Sequence, residues 1–221
     1  LTNLQRKLRG GDKEAAEQAD LLARAKIALE EGRPARTVKV ATDEEKSWKM
    51  LQLLTAKPVL FVCNVEESSA ATGNSQSTRV AEMAAAQGAG CVVISAAIEE
   101  EISQLDADER SMFLEELGLH EAGLDRLIRA GHELLGLQTY FTVGPKEARA
   151  WTIPAGATAP QAAGVIHGDF ERGFIRAETI AYDDFIANNG EAGARDAGKL
   201  RAEGKTYVVK DGDVLHFLFN T

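Results

Sequence analysis

The apolar positions of the chain form short runs and spaced faces, which together predict alternating strands and helices. Two apolar runs, residues 59–63 and 91–94, have the length and β-branched content of buried strands. Between them, small polar residues at 68–77 precede a helical pattern at 78–87. Strand, helix and strand in this order predict a βαβ unit.

The first 56 residues have the pattern of paired helices. Residues 1–9 predict the end of a helix, Gly10 and Gly11 break it, and Asp12 is the expected N-cap of a second helix. One face of that second helix carries Ala15, Ala19, Leu22, Ala25 and Leu29. This pattern predicts an antiparallel helical hairpin of which the chain holds little of the first arm. Residues 36–40 are predicted to be extended, and residues 42–45 to form a capping box that starts a helix carrying Trp48 and Leu51.

The last 84 residues predict a small mixed domain. The expected strands are residues 140–142, 149–153, 174–180, 207–209 and 214–219. The expected helices are residues 159–166 and 192–202, and residues 210–213 are expected to form a hairpin turn with Gly212 at positive φ. Five short strands around one crossing helix predict the β-grasp architecture.

Composition narrows the class of protein. The chain has 221 residues, of which 44% are apolar, 27% charged and 6% aromatic, as in a soluble globular chain of one to three domains. No apolar stretch reaches the roughly 18 residues of a membrane span, and the first residues resemble neither a signal peptide nor an initiator methionine. We therefore expect a cytoplasmic protein, without membrane contact, that has lost its upstream part. Cys63 and Cys91 lie in the apolar runs, as expected of reduced, buried thiols.

Charge is distributed unevenly along the chain. Residues 1–56 carry 11 basic and 9 acidic side chains, residues 57–137 carry 5 and 14, and residues 138–221 carry 9 and 11. With a net charge of −9, the chain is too acidic for indiscriminate phosphate binding, although its basic start could touch nucleic acid locally.

Polar residues with ligand-binding chemistry follow both predicted strands. In a doubly wound sheet, ligands lie beyond the carboxyl ends of the strands, so Asn64 and Ser95 are expected side by side. GTPases read guanine with Asn-Lys-x-Asp, whose Asp accepts two hydrogen bonds from the base. Here Val65 and Glu67 take the Lys and Asp positions, which favours adenine. Two structural alternatives stay open: a polar turn that closes a buried strand at residues 64–67, and Ser95 as the N-cap of a helix over residues 98–103.

The chain resembles the Obg-like ATPases, or YchF family, in the translation-factor class of P-loop NTPases. Besides residues 64–67 and 95–97, the resemblance rests on Arg9-Gly10-Gly11-Asp12-Lys13, on Leu137-Gln138-Thr139-Tyr140-Phe141-Thr142, on Arg149-Ala150-Trp151-Thr152-Ile153, on Ala159-Pro160-Gln161-Ala162-Ala163-Gly164, on Asp169-Phe170-Glu171-Arg172-Gly173-Phe174-Ile175, on Asp211-Gly212-Asp213-Val214 and on Phe217-Leu218-Phe219-Asn220.

This resemblance implies an α/β fold class: part of a Rossmann-like P-loop NTPase domain, an inserted coiled-coil hairpin, and a C-terminal β-grasp domain of the TGS type. The expected division is residues 1–42 for the hairpin, 43–137 for the nucleotide domain and 138–221 for the TGS domain. The family prefers ATP over GTP, uses Mg²⁺, is redox-regulated and associates with ribosomes. The expected partners are therefore ATP and the ribosome, with the large subunit and ribosomal RNA as contacts.

The resemblance also implies roles for single residues. Asn64 and the Val65 backbone would contact adenine, Glu67 stands where guanine selectivity is lost, and Ser95, Ala96 and Ala97 would complete the base pocket.

The Gly-rich phosphate loop of the family has no counterpart in the chain. The segment Gly204-Lys205-Thr206 has Lys199 in place of the first glycine and follows a helical pattern. The catalytic and Mg²⁺-binding residues are therefore expected upstream of Leu1, none is assigned here, and the chain by itself is expected to be inactive. The four histidines have no metal-ligand spacing.

Two functions follow from these patterns. The favoured one is an ATP-hydrolysing, ribosome-associated protein that acts in translation or stress regulation. The alternative is a non-enzymatic ribosome- or RNA-binding module built from the hairpin and the TGS domain. Two interpretations stay open for five basic residues, which are contacts to phosphate or protein or, favoured for each one taken singly, solvated surface charges: Lys146, Arg149, His167, Arg172 and Arg176. A guanine-specific GTPase is a weaker third hypothesis, disfavoured by Val65 and Glu67.

Overall fold

The structure is a computed structural model that describes residues 11–220. It divides after Leu134 into an N-terminal unit and a C-terminal unit that begins at Leu135. Each unit is described by itself, and the predicted division at residues 42 and 137 stays a prediction. Within residues 11–220, no helix is both long enough and apolar enough to cross a bilayer.

The described residues form ten α-helices and seven strands. The helices are α1 (Lys13–Glu30), α2 (Glu45–Met50), α3 (Ser75–Ala86), α4 (Ala96–Gln104), α5 (Ala107–Glu116), α6 (Gly123–Leu135), α7 (Ala159–Ile166), α8 (Gly168–Arg172), α9 (Tyr182–Ala187) and α10 (Glu191–Asp196). The strands are β1 (Leu60–Asn64), β2 (Gly90–Ile94), β3 (Leu137–Val143), β4 (Ala148–Pro154), β5 (Phe174–Ala181), β6 (Arg201–Glu203) and β7 (Asp213–Phe219).

Helix α1 begins where the sequence predicts. The Asp12 carboxylate accepts the backbone N–H groups of Glu14 and Ala15, so Asp12 is the N-cap. The predicted apolar face is only partly right, because Leu29 is 45% exposed. The residues buried on α1 are Ala15, Leu21, Ala25 and Ala28. The helix predicted over residues 1–9 lies outside the described residues.

The connection from α1 to β1 differs from the prediction. A 3₁₀ turn (Ala35–Thr37) replaces part of the extended segment expected at residues 36–40. The capping box expected at residues 42–45 is also wrong, because α2 begins after Glu44 and no side chain within residues 11–220 caps it. The Glu44 carboxylate instead accepts the Ala41 N–H and pairs with the Arg24 guanidinium on α1, and these contacts lower the pKa of Glu44.

The predicted βαβ unit is confirmed. Strands β1 and β2 pair in parallel, with Leu60 opposite Gly90 and Asn64 opposite Ile94. Helix α3 connects them and begins earlier than predicted, because the Asn74 side chain accepts the N–H groups of Gln76 and Ser77. A separate apolar cluster lies beneath the helices that follow β2, formed by Ala70, Ile98, Ile102, Leu119 and Ala122.

The C-terminal unit is a five-stranded mixed sheet in the order β4-β3-β7-β5-β6. The pairing of β3 with β7 is parallel, and the other three pairings are antiparallel. Helix α7 contributes Ala159, Ala162 and Ala163 to a core that includes Phe174 and Phe217. Small residues on α7 allow it to lie close to the sheet.

Two predicted elements of the C-terminal unit are wrong. Helix α10 ends at Asp196, and residues 201–203 form β6 against β5, where a continuous helix over 192–202 was expected. The strand expected at 207–209 makes only an isolated bridge between Thr158 and Val208. The buried Asp213 carboxylate accepts the Tyr207 hydroxyl at 2.7 Å and the Lys210 N–H at 2.9 Å, so this segment is held by a turn.

Gly212 has a φ of 82°, as predicted for the turn at 210–213. The turn is not a hairpin, because β7 pairs with β3 and β5. The segment Gly204-Lys205-Thr206 follows strand β6, contrary to the expected helical pattern. It leads through a turn toward β7 and into no helix, so it lacks the strand–loop–helix form of a phosphate loop.

Candidate functional site

The two predicted loops meet at one end of the β1–β2 sheet. Asn64 is the last residue of β1, and its partner Ile94 is the last residue of β2. The Asn64 Oδ1 atom accepts the backbone N–H of Ala96 at 3.0 Å. Because a backbone N–H only donates, the amide oxygen faces Ala96 and the Nδ2 group is left as a donor for a further acceptor. Asn64 therefore joins the loops and still offers a hydrogen-bond donor.

Val65 continues the pairing by one residue. Its backbone N–H donates to the Ile94 carbonyl at 2.9 Å, and the residue is only 9% exposed. The N–H is thus already used by the sheet. The predicted contact between the Val65 backbone and a base can therefore use only the carbonyl oxygen, which is an acceptor.

The loop after β1 is held by Glu66, which sequence reasoning missed. Its carboxylate accepts the Ser69 hydroxyl and the Asn74 side-chain amide, the latter at 3.1 Å. The hydrogen bond from Ser69 is the main cause that lowers the pKa of Glu66. The neighbouring Glu67, predicted as a site residue, is exposed and begins a 3₁₀ turn (Glu67–Ser69). In the sequence, the spacing of Glu66 and Ser69 is the pattern that could have indicated this contact.

Ser95 occupies the N-cap position of α4 without acting as a side-chain cap. Its hydroxyl makes no capping bond, and the residue is 2% exposed. Across residues 11–220, the Ser95 Oγ atom has no hydrogen-bond partner. A buried hydroxyl without a partner costs about 1–3 kcal/mol, so it marks a place that a ligand group could satisfy. Ala96 and Ala97, the other predicted residues, are exposed at the start of α4.

A second capping contact holds the elements around the β2 end. The Glu99 carboxylate on α4 accepts the N–H of Gly123 at 2.7 Å and that of Leu124 at 3.1 Å, at the start of α6. A Cβ at Gly123 would lie 2.7 Å from Glu99 Oε1 and 3.1 Å from Ile94 Cγ2, so a larger residue would require these side chains to shift. The sequence gives no local signal for it, because Glu99 and Gly123 are 24 residues apart.

The two cysteines also lie in this sheet. Their sulfur atoms are 3.8 Å apart, and both thiols are free and half-buried. Burial, and then the Cys63 thiol, raise the pKa of Cys91, so its thiolate is disfavoured.

The basic residues predicted as contacts in the C-terminal unit do not form one cluster. Their partners within the unit are the Trp151 ring for Arg149 at 4.6 Å, Asp169 for both Arg172 and His167, and Glu178 for Arg176 at 3.3 Å. Lys146 is exposed in the β3–β4 turn. In the part of the chain that the structure describes, no three His, Cys, Asp or Glu side chains group as a metal site.

Comparison with known proteins finds relatives whose similarity extends over nearly the whole chain. It is 50% identical over 222 residues to the ribosome-binding ATPase YchF of Bacillus subtilis strain 168, covering 100% of this chain and 61% of that protein. It is 52% identical over 217 residues to the ribosome-binding ATPase YchF of Escherichia coli O157:H7, covering 98% and 60%. The chain is thus similar to these YchF proteins along nearly its whole length. The chain spans about 60% of the length of these relatives.

A family model and a solved structure that match the chain both carry the YchF name. Residues 137–220 match the family YchF-GTPase_C, described as "Protein of unknown function (DUF933)". The structure of the Schizosaccharomyces pombe YchF GTPase superposes with a TM-score of 0.79 at 30% identity, over 97% of this chain and 61% of that one. A GTP-binding protein from Pyrococcus horikoshii OT3, at 17% identity and a TM-score of 0.52 over 93% of this chain and 57% of that one, shares the fold.

Proposed function

We propose that the chain belongs to a ribosome-associated protein that binds and hydrolyses ATP and acts in translation or stress regulation. The observation that carries the proposal is the hydrogen bond from Ala96 to Asn64, which joins the two loops expected to hold the base. Relatives that are about half identical to the chain are named ribosome-binding ATPases.

The free groups of the loops suit adenine. The Asn64 Nδ2 group can donate to the N7 acceptor of a purine, and the Val65 carbonyl can accept from the 6-amino group of adenine. Guanine carries an oxygen acceptor at position 6, which a carbonyl would repel. Glu67 is exposed, so its carboxylate is not held in position to accept the two hydrogen bonds that guanine donates. The buried Ser95 hydroxyl, with Ala96 and Ala97, would complete the pocket.

The phosphates and Mg²⁺ require residues other than those of this chain. Its sequence has no Gly-x-x-x-x-Gly-Lys-Ser/Thr segment, which in this class of NTPase holds the phosphates and the metal. We therefore expect the 221-residue chain alone to show no ATP hydrolysis.

The finer architecture belongs to the same proposal. Residues 1–42 would be part of a coiled-coil hairpin, residues 43–137 part of a Rossmann-like nucleotide domain, and residues 138–221 a TGS domain of β-grasp type. The five-stranded sheet with α7 in its core supports the last assignment. The hairpin and TGS domain would contact the large ribosomal subunit in the cytoplasm.

Calorimetric titration of ATP and of GTP, each with Mg²⁺, into the full-length protein tests the base site. Asn64→Asp keeps an oxygen for the Ala96 N–H and removes the Nδ2 donor, so it separates base recognition from loop structure. We expect wild type to prefer ATP and Asn64→Asp to bind it at least about tenfold more weakly, a change of about 1.4 kcal/mol, with unchanged thermal stability. Val65→Ala, which keeps the backbone carbonyl, is the matched control.

Two results would contradict the assignment: ATP affinity unchanged in Asn64→Asp, or equal affinity of wild type for ATP and GTP. If the full-length protein binds neither nucleotide while the 221-residue chain sediments with ribosomes, the non-enzymatic binding module is the better account.

A further inference from the structure

A second candidate site lies in the N-terminal unit, away from the loops at 64–67 and 95–97 in sequence. A cavity of about 530 Å³ opens where α2 ends and the chain extends toward β1. Its lining includes Trp48, Lys49, Gln52, Leu53, Lys57 and Pro58, and we call it the Trp48 cavity. This volume lies in the range of about 300–1,000 Å³ that small-molecule sites occupy.

The charge of the Trp48 cavity favours an anionic ligand. Of the residues that the structure describes, two lysines and no carboxylate line it. Lys49 does pair with Glu45 at 3.6 Å, but the two side chains are 78% and 55% exposed. A pair so exposed to water is weak, so Lys49 can exchange Glu45 for a phosphate.

The remaining lining favours an aromatic ligand with polar edges. Trp48 supplies a half-buried ring, and the Gln52 side chain offers both a donor and an acceptor. Gln52 has a φ of 50°, a left-handed conformation that non-glycine residues seldom adopt and that recurs at ligand sites. Leu53, Ala56 and Pro58 add apolar surface to the lining.

We propose that the Trp48 cavity binds an unpaired nucleotide of single-stranded RNA. The base stacks on Trp48, Gln52 hydrogen-bonds one base edge, and the adjoining phosphates lie at Lys49 and Lys57. Stacking on an aromatic ring combined with cations along the backbone is how proteins hold unpaired RNA. The inference rests on the proposed ribosome association, which would supply the RNA. It does not depend on the loops proposed to bind ATP.

The two tryptophans of the chain, Trp48 and Trp151, allow a direct test. In a Trp151→Phe background, Trp48 is the sole tryptophan, and stacking of a base quenches its fluorescence. The 221-residue chain is titrated with a single-stranded RNA hexamer at several salt concentrations. We expect saturable quenching, weakened at least about tenfold by the double variant Lys49→Ala/Lys57→Ala. Since each phosphate contact on a single strand contributes about 0.7 to the salt slope, that variant should lower the slope by about 1.4.

The matched control is Lys39→Ala/Lys46→Ala, which removes the same charge from two exposed lysines that do not line the cavity. Equal weakening by both double variants would overturn the proposal, because binding would then follow net charge alone. Equal affinity for double-stranded RNA of the same length, or for AMP, would overturn it as well.

Ribosome sedimentation of the full-length protein separates this inference from the proposed function. Sedimentation of wild type without quenching by the RNA hexamer overturns the cavity assignment and leaves the function. Quenching without sedimentation supports the cavity and contradicts ribosome association.

Discussion

Replacement of Glu99 by alanine removes the contact that holds α6 against the end of β2. The Glu99 carboxylate accepts two N–H groups at 2.7 and 3.1 Å, and both belong to the first turn of α6, where no partner exists within the helix. A side-chain cap contributes about 0.5–2 kcal/mol, and a charged acceptor makes the bonds stronger than neutral ones. Partial exposure of Glu99 reduces that gain. We expect Glu99→Ala to lower the free energy of unfolding of the N-terminal unit by about 1.5 kcal/mol.

Urea denaturation followed by Trp48 fluorescence in a Trp151→Phe background reports on the N-terminal unit alone. Glu99→Gln keeps one acceptor oxygen, so we expect about half the loss. Glu101→Ala, an exposed residue on the same helix, is the control and should change stability by less than about 0.5 kcal/mol. The reasoning is refuted if Glu99→Ala changes the free energy of unfolding by less than about 0.5 kcal/mol, or if Glu101→Ala lowers it as much as Glu99→Ala does.

Three further predictions concern the C-terminal unit. Tyr140→Phe removes the hydroxyl that donates to the Ala162 carbonyl at 2.9 Å in a fully buried position, so urea denaturation should show a loss of about 1 kcal/mol and an unchanged midpoint would contradict it. Gly212→Ala places a side chain at a φ of 82° and should cost about 1–2 kcal/mol, whereas Gly204→Ala, with open space around it, should cost less. Burial, and then its carboxylate partner, raise the pKa of Tyr207 from 10.0 to about 12, which stabilises the neutral phenol in the folded state. That stabilisation is full below pH 10 and is lost as the pH rises toward 12, and a pH series of urea denaturations should show a larger loss in wild type than in Tyr207→Phe, in which the pKa of the buried Tyr140 is still raised.

The sequence predicts those features that depend on local patterning. The strands expected at 59–63 and 91–94 differ from β1 and β2 by one residue, because a short β-branched run bounded by polar residues has few alternative structures. The adjacency of Asn64 and Ser95 also follows from sequence, since parallel strands present their carboxyl ends together.

Features that depend on tertiary contacts were missed. Strand β6 has the composition Arg-Ala-Glu, which favours a helix, and it is extended because it pairs with β5. The opposite error occurred at Tyr207, whose segment has strand-forming residues but is held in a turn by Asp213. In the candidate site, the engaged N–H of Val65 and the unpartnered Ser95 hydroxyl are likewise visible only in three dimensions.

The sulfur atoms of Cys63 and Cys91 lie 3.8 Å apart, on the two strands that lead into the loops proposed to hold a nucleotide, so chemical labelling can probe those loops. Both thiols are half-buried on neighbouring strands, so opening of β1 and β2 increases the rate at which a thiol reagent modifies them. Asn64 directly follows Cys63, and a base held by the loops would join the ends of the two strands. A nucleotide bound as proposed would slow the labelling that depends on opening, by the factor 1 + [L]/Kd when only the closed form binds. The time course of a colorimetric thiol reaction would then report the affinity of the full-length protein for ATP without any added dye on the ligand.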